Sequence, residues 1–414
     1  MLTKTINGIK YWGQLFLLPI YWLSFLFPRK KNIWLFGSTF GKRFADNPRY
    51  FFLYCNQHKD DICIGKRHKQ VRPIWISHNK DIVKFVKEKG YEAYYYHSFK
   101  GIWFCLIAGV YLFDNYSKDI SFWLSGGAIK INMWHGVGNK CINYDNKHDK
   151  VRHPKNLWEK IKFFPRRLSD EKPDHYILTT SQTISKIFSK AFRIPMSHVI
   201  EAGYPRNDVL FEECCFSNIY TAEEEKLINK LSDEKEKGKT ILGYVPTFRK
   251  SESKFKEVMN ISEFNNFLAE NNMILVCKLH PKSTCREEFY NMDYSNIYHV
   301  MADADVNSFL NKIDILIGDY SSVYSDYILL ERPVVAFHYD FKEYMSDTRE
   351  GYFDFKEYMP EVRAYNMDEL KAAILDVMDR EIPKERKDTL GNMFKYVDSE
   401  ASNRLSKEVL RLLD

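Results

Sequence analysis

No two cysteines of this 414-residue chain stand in a Cys-x-x-Cys spacing. None of the eight (Cys55, Cys63, Cys105, Cys141, Cys214, Cys215, Cys277 and Cys285) falls in a zinc-like pattern either. That excludes a zinc module, and several of the thiols lie in apolar runs such as Met273-Ile-Leu-Val-Cys277. They read as reduced thiols of a cytoplasmic protein. A run of about 20 apolar residues, the length needed to span a bilayer, is also missing. The longest mostly apolar stretch, Tyr11 to Phe27, is interrupted by Gly13, Gln14, Pro19 and Ser24, and no small-residue cleavage site accompanies it. A secretory signal peptide is therefore not expected. Nucleic-acid motifs are absent, and 61 basic against 55 acidic residues leave a net charge of only +6. That excess is too diffuse to imply nucleic acid, though it suits an anionic lipid surface or a phosphate-rich substrate. No repeat or low-complexity tract stands out.

What is present is a globular composition, 45% hydrophobic and 28% charged, on a length that suggests two to three domains. Tyr11–Phe27 is followed by Arg29-Lys30-Lys31, and three readings fit it: an interfacial segment on anionic headgroups, a buried N-terminal helix, or a signal anchor. Beyond Asn32 apolar strands alternate with helical stretches. Strands are expected at 33–36, 72–77, 110–113, 130–134, 175–179, 240–245, 274–279, 313–318 and 334–337. Helices are expected at 82–90, 261–271, 306–312, 322–330 and 399–412, and the apolar run 102–113 reads as a core element. Such alternation predicts an α/β protein with parallel sheets covered on both faces. The expected division is a membrane-associating segment (1–31), a Rossmann-like acceptor domain (32–210), a Glu/Lys-rich linker (211–239) with a capped helix start at Thr221, a Rossmann-like donor domain (240–398) and a C-terminal helix (399–414). Two nucleotide-fold domains facing across a cleft are the natural architecture.

Five short segments stand where apolar strands run out, which is where open parallel sheets bind ligands. Gly318-Asp319-Tyr320-Ser321-Ser322 leads into a helical stretch whose free N–H groups favour an anion; the plain alternative is that Asp319 or Ser321 only caps the helix. Arg249, in Pro246-Thr247-Phe248-Arg249, offers a bidentate grip on phosphate. Lys278-Leu279-His280-Pro281 adds a cation and an imidazole. Together these three strand ends point to a phosphate site. His135, between Trp134 and Gly136, has the residue type of a general base, against the plainer reading of a histidine packed beside a tryptophan. Gly203-Tyr-Pro-Arg206-Asn207-Asp208 is the fifth segment. His148, Asp149 and His153 also cluster, but in a charged loop-like stretch that reads as solvated surface, so no metal site is expected.

In order and rough spacing these segments resemble the CDP-glycerol:polyglycerophosphate glycerophosphotransferase family, from about Ile33 to about Leu412. Lys140 after Trp134-His135-Gly136, Asp326, Arg332-Pro333, Gly41 and Asn47-Pro48 extend the match. The resemblance implies a GT-B-like fold, peripheral attachment to the cytoplasmic face of the membrane, CDP-glycerol or another CDP-polyol as donor, and no obligatory metal or cofactor. It implies that His135 is the acceptor-side base and that His280 is a second catalytic residue touching the donor phosphates. Arg249, Thr247, Ser321 and Ser322 would line the donor site, with Asp319 and Asp326 touching its ribose or ordering the loop. Lys140, Arg206, Asn207 and Asp208 would be acceptor-side or structural. Two departures stand out: Val137-Gly138-Asn139-Lys140 replaces Thr-Pro-Leu-Lys, and the Gly-Pro expected after Gly351-Tyr-Phe-Asp354 is replaced around Met359-Pro360-Glu361. The expected function is transfer of glycerol phosphate, or a related polyol phosphate, to a lipid-linked or polymeric glycan acceptor in teichoic acid or capsule synthesis, with release of CMP. The rivals are a sugar-nucleotide glycosyltransferase of the same fold and a non-catalytic membrane scaffold.

Overall fold

The computed structural model describes residues 11–65, 68–171, 176–211, 220–249, 253–280, 282–283, 285–286, 294–301, 304–347 and 350–414. The chain divides into two compact units. One comprises Met1–His135, Ile142–Asp208 and Asp398–Asp414; the other comprises Gly136–Cys141 and Val209–Val397.

The first unit is built on seven parallel strands: β1 (Lys30–Gly37), β2 (Arg72–Ser77), β3 (Ala93–Tyr95), β4 (Ala108–Phe113), β5 (Ile129–Asn132), β6 (Tyr176–Thr179) and β7 (Val199–Glu201). Their order is β3-β2-β1-β4-β5-β6-β7. In β1 the residues Ile33-Trp34-Leu35-Phe36 are buried on both faces, as the centre of a helix-covered parallel sheet requires. The apolar run 102–113 is a core element in two pieces: a helix, Phe99–Ile107, ends where β4 begins. Polar side chains at the strand ends start the helices: Asn79 caps Lys80–Glu88, Ser98 caps Phe99–Ile107 and Ser181 caps Gln182–Phe192.

The second unit repeats the plan with six parallel strands: β8 (Thr240–Tyr244), β9 (Met273–Cys277), β10 (Ile297–His299), β11 (Ile315–Gly318), β12 (Val334–Phe337) and β13 (Val362–Ala364). Their order, β10-β9-β8-β11-β12-β13, is that of the doubly wound nucleotide-binding fold. Its core joins Leu242, Leu275, Ile315 and Val335 of the sheet to Phe264, Leu268, Leu370 and Ile374 of the covering helices.

Four expectations change. The stretch 211–239 is more than a linker: Ala222–Glu236 is a helix of the second unit, opened by a reciprocal capping box between Thr221 and Glu224, while residues 212–219 lie outside the described ones. The helix expected at 306–312 is two 3₁₀ turns, Val306–Ser308 and Leu310–Lys312, because Phe309 departs from helical geometry between them. The helix expected at 322–330 has only five α residues, Val323–Tyr327, and tightens into a 3₁₀ turn at Ile328–Leu330. The C-terminal helix, Ala401–Leu413, belongs to the first unit; Asp208 caps it, its carboxylate accepting the N–H groups of Ala401 and Ser402 at 2.9 Å each.

Tyr11–Leu26 is helical throughout, the six-residue α-helix Leu18–Leu23 lying between the 3₁₀ turns Gln14–Leu17 and Ser24–Leu26. Tyr21 stacks on Phe122 with centroids 4.8 Å apart, and Arg29 ties the segment's end down through the carbonyls of Ser24, Cys105 and Leu124. Most of its apolar side chains face solvent: Phe16 is 87% and Leu26 77% exposed. That exposure argues against the buried-helix reading. Among the described residues no helix is long and apolar enough to cross a membrane.

Candidate active site

In the first unit the site residues gather around the end of β5. The chain leaves that strand through Trp134 in the left-handed region (φ 52°), a conformation that costs a non-glycine residue about 1–2 kcal/mol. Hydrogen bonds hold the turn. Trp134 N–H donates to the Asn132 side chain (2.9 Å), and the Asn47 amide donates to the carbonyls of Trp134 (2.9 Å) and Met133 (3.2 Å). Arg206 donates from Nη1 to the His135 carbonyl (2.8 Å) and to the Asp46 carboxylate (3.0 Å), and its backbone N–H donates to Asn47 Oδ1 (3.2 Å). The sequence segments at 47–48, 134–136 and 203–208 thus meet at one loop.

The His135 ring is exposed, and its Nδ1 lies 3.0 Å from the Asp114 carbonyl. A carbonyl only accepts, so in the neutral ring Nδ1 carries the proton and Nε2 keeps a lone pair, the form a general base needs. Asp114, at the end of β4, is itself buried. Its carboxylate takes Ser38 Oγ (2.6 Å) and Thr39 N–H (2.9 Å), while neighbouring Asp119 takes the N–H groups of Phe40 and Asn115 (2.8 Å each). Burial, then the nearby Asp114 charge, pushes the Asp119 carboxyl well above the usual carboxylate range. Asn207 and Asp208 are buried; Asp208 serves the C-terminal helix and so is structural.

In the second unit the ends of β8, β11 and β12 converge on Arg249. The guanidinium expected to face phosphate is held here by two carboxylates. Its Nε donates to Asp340 (2.6 Å) and its Nη1 to Asp319 (3.0 Å), with the side chain 8% exposed. Burial alone would lower its pKa; Asp319 and Asp340 more than reverse that, so it stays charged. Tyr320, Tyr344 and Tyr339 surround the guanidinium at 4.9–5.9 Å. Asp319 is fully engaged: it also accepts from Thr247 N–H (2.7 Å), Thr247 Oγ1 (3.3 Å) and Ser321 N–H (2.8 Å). It orders the loop, and Thr247 and Arg249 help it do so. Asp326 is buried, and its charge contributes to raising the Tyr358 phenol after burial itself.

His280 follows β9. Its Nδ1 accepts the N–H of Lys282 at 3.1 Å, so in the neutral ring Nε2 carries the proton. Pro281 of this segment lies outside the described residues. Ser321 and Ser322 stand at the start of Val323–Tyr327, and the ideal Cβ of Gly138 would lie 3.1 Å from Ser322 Cβ. The segment Gly136–Cys141, Lys140 included, therefore groups with the second unit near the Ser321–Ser322 helix start. The first departure from the family pattern packs on the matching segment Gly351-Tyr-Phe-Asp354. Asn139 donates to Phe353 O (3.0 Å) and accepts from Phe353 N–H (2.8 Å), and Lys140 bridges Gly351 through the backbone.

Sequence reasoning passed over Asp114, His338 and Asp340. Each follows an apolar strand, so the strand-end rule applied to β4 and β12 would have found them. The loop cluster expected to be solvated is locally satisfied: Asp149 accepts from Val151 N–H and Arg152, and His153 Nε2 bonds Tyr144 O. Among the described residues no three His, Cys, Asp or Glu side chains could hold a metal ion.

Residues 20–411 match the family described as CDP-Glycerol:Poly(glycerophosphate) glycerophosphotransferase. The chain is 28% identical over 342 residues to a teichoic acid poly(glycerol phosphate) polymerase of Bacillus spizizenii, covering 79% of each. It is 28% identical over 239 residues to the teichoic acid ribitol-phosphate polymerase TarK of Staphylococcus aureus, covering 56% of this chain and 44% of that protein. Among solved structures the wall teichoic acid polymerase TagF superimposes with a TM-score of 0.72 at 21% identity, over 100% of this chain and 98% of that one. That likeness establishes a GT-B-like fold.

Proposed function

The chain belongs to the CDP-glycerol:poly(glycerophosphate) glycerophosphotransferase family, and from that premise we propose that it transfers glycerol phosphate from CDP-glycerol to a teichoic-acid-type polymer and releases CMP. The observation that carries the assignment of roles is the opposite hydrogen-bond partner at Nδ1 of the two strand-end histidines, a carbonyl for His135 and an N–H for His280. An acceptor hydroxyl gives its proton to His135 Nε2 and attacks the phosphorus that bears glycerol. The new P–O bond forms as the bond from that phosphorus to the oxygen of the CMP phosphate breaks. His280 offers Nε2–H to the donor phosphates as charge moves onto the departing CMP, and Ser321 and Ser322 add hydroxyl donors. Arg249 acts indirectly, by fixing Asp319 and the loop that carries the two serines. The step moves one group between oxygens and calls on no cofactor.

The acceptor in this reading is lipid-linked and lies at the cytoplasmic face of the membrane. Supporting it, the Tyr11 hydroxyl donates to Lys162 O (2.8 Å), tying the N-terminal turns to the helix Leu157–Glu171. Each of these elements exposes large apolar side chains, Phe16, Trp22 and Leu26 on one and Leu157, Trp158 and Ile161 on the other. Lys160, Lys162 and Arg166 are exposed along the same helix, the chemistry of an interfacial surface on anionic lipid.

Purified protein incubated with acceptor membranes and CDP-glycerol, CDP-ribitol or a panel of UDP-sugars gives the test, by identification of the nucleotide released. CMP from CDP-glycerol is the expected product. CMP from CDP-ribitol alone would move the polyol. A nucleoside diphosphate with no CMP would overturn the reaction class.

A further inference from the structure

The base would be useless if its loop wandered, and the loop has little of its own to hold it. Trp134 sits in the left-handed region, and the residue after His135 is a glycine, itself at φ 129°. Neither regular strand nor helix fixes the peptides on either side of the imidazole. Three consecutive carbonyls, those of Met133, Trp134 and His135, are instead taken by side chains from distant parts of the sequence: the first two by the amide of Asn47, the third by the guanidinium of Arg206. Those two residues are joined to each other, since Arg206 N–H donates to Asn47 Oδ1 and Arg206 Nη1 meets Asp46 beside it. The ring is confined as well, by Nδ1–H on the Asp114 carbonyl and by the Trp134 ring with its centroid 4.1 Å away.

From this arrangement we propose that Asn47 and Arg206 are positioning residues for the transfer step: they act through His135 by fixing the orientation of its backbone, and touch neither substrate. The assignment rests on the reading of His135 as the base. Its physical content is geometric. A bound carbonyl fixes a peptide plane, and two fixed planes flanking Cα of His135 fix the direction of Cβ. A rotation of that bond by a few tens of degrees moves Nε2 by more than an ångström and leaves the proton transfer out of reach. Arginine suits the third carbonyl because its planar fork meets Asp46 and the carbonyl together, which a lysine ammonium does not do in the same geometry. Asparagine suits the other two because it donates at Nδ2 while accepting at Oδ1; aspartate has the same shape and no donor.

The test uses Asn47→Asp and Arg206→Lys in the full chain, each alone and on a His135→Ala background. Expected for the single variants are a drop in kcat on the order of 10- to 100-fold, CDP-glycerol affinity by calorimetry within about twofold of the parent and, for Arg206→Lys, an unchanged thermal midpoint. On the His135→Ala background the same substitutions should leave the residual rate unchanged, because the group they act through is gone. Equal fold-losses in the presence and absence of His135 would overturn the proposal, as would single variants with the parent's kcat. A His135→Ala variant with full activity would instead remove the base assignment itself, so the two failures are told apart. Should Asn47→Asp lower the thermal midpoint, Arg206→Lys on both backgrounds decides alone.

Discussion

The two strand-end histidines follow strands on opposite sides of the first strand of their sheets, and in the neutral ring they carry the proton on opposite nitrogens. His135 gives Nδ1–H to a carbonyl, so the nitrogen that faces outward is an acceptor. His280 takes a backbone N–H at Nδ1, so its other nitrogen is a donor. One partner atom, a C=O in the first unit and an N–H in the second, leaves one neutral imidazole with an outward acceptor, as the proposed base requires, and the other with an outward donor, as the proposed phosphate ligand requires. The arginines differ in the same way. Arg206 spends its charge on a carbonyl and one carboxylate to hold a loop, whereas Arg249 is buried between two carboxylates under tyrosine rings. Residue type and strand-end position are shared; the neighbour decides the chemistry.

The comparison breaks most directly at the histidines. Removing His135 by alanine is expected to cost about 10²- to 10⁴-fold in transfer rate with CDP-glycerol binding intact, measured by CMP release and calorimetry. Glutamine separates the pair further. At position 280 its side-chain N–H stands in for Nε2–H, and activity should exceed that of His280→Ala, whereas His135→Gln should be as inactive as His135→Ala. Equal behaviour at the two sites would erase the distinction drawn from the tautomers.

Next in size is the buried pair cluster. Arg249→Met leaves Asp319 and Asp340 facing each other without a cation, and denaturant unfolding of the second unit should show a loss of about 3–5 kcal/mol. A loss near zero would mean the carboxylates relax to solvent or protonate cheaply.

Acidification should then separate the two units. Burial holds the His338 pKa down at about 4 against an ordinary 6.5, so the unfolded chain binds the proton more readily. The stability this contributes is complete above pH 6.5 and is lost as pH falls toward 4, by about 2 kcal/mol at pH 5. Burial raises Asp208 to about 7 against 3.8, with the N–H donors of Ser402 and Ala401 opposing it, so its sign is reversed. Its contribution is complete below pH 3.8 and is lost as pH rises toward 7. Hydrogen exchange at pH 7 and pH 5, corrected for intrinsic rates, should show the second unit loosening while the helix Ala401–Leu413 holds. Parallel loosening would remove one of these two groups from the account. Smallest is a surface effect: Trp158→Glu should weaken co-sedimentation with phosphatidylglycerol vesicles and leave CDP-glycerol affinity alone.

Much of the fold and half of the site are legible in the sequence. The parallel α/β plan follows from apolar strands alternating with helical stretches, because a strand buried on both faces must be apolar along its length. The strand-end rule finds His135, Arg249, His280 and Asp319, since the ends of parallel strands are where short polar segments interrupt apolar runs. The ordered set of those segments is enough to place the family. What stays hidden depends on partners far away along the chain. By type and place Arg249 reads as a phosphate ligand, yet Asp340, 91 residues on, holds it. Asn139 and Phe353, 214 residues apart, clasp one departure from the family pattern onto a segment that keeps it.

By itself, then, the sequence determined which chemical groups stand at the ends of the strands, because hydrophobic patterning along the chain is a local property. Only the tertiary structure decided what each group can do. A proton's place on an imidazole, or a guanidinium's freedom to meet phosphate, is set by the one or two atoms packed within about 3 Å of it, and folding brings those atoms from anywhere in the chain.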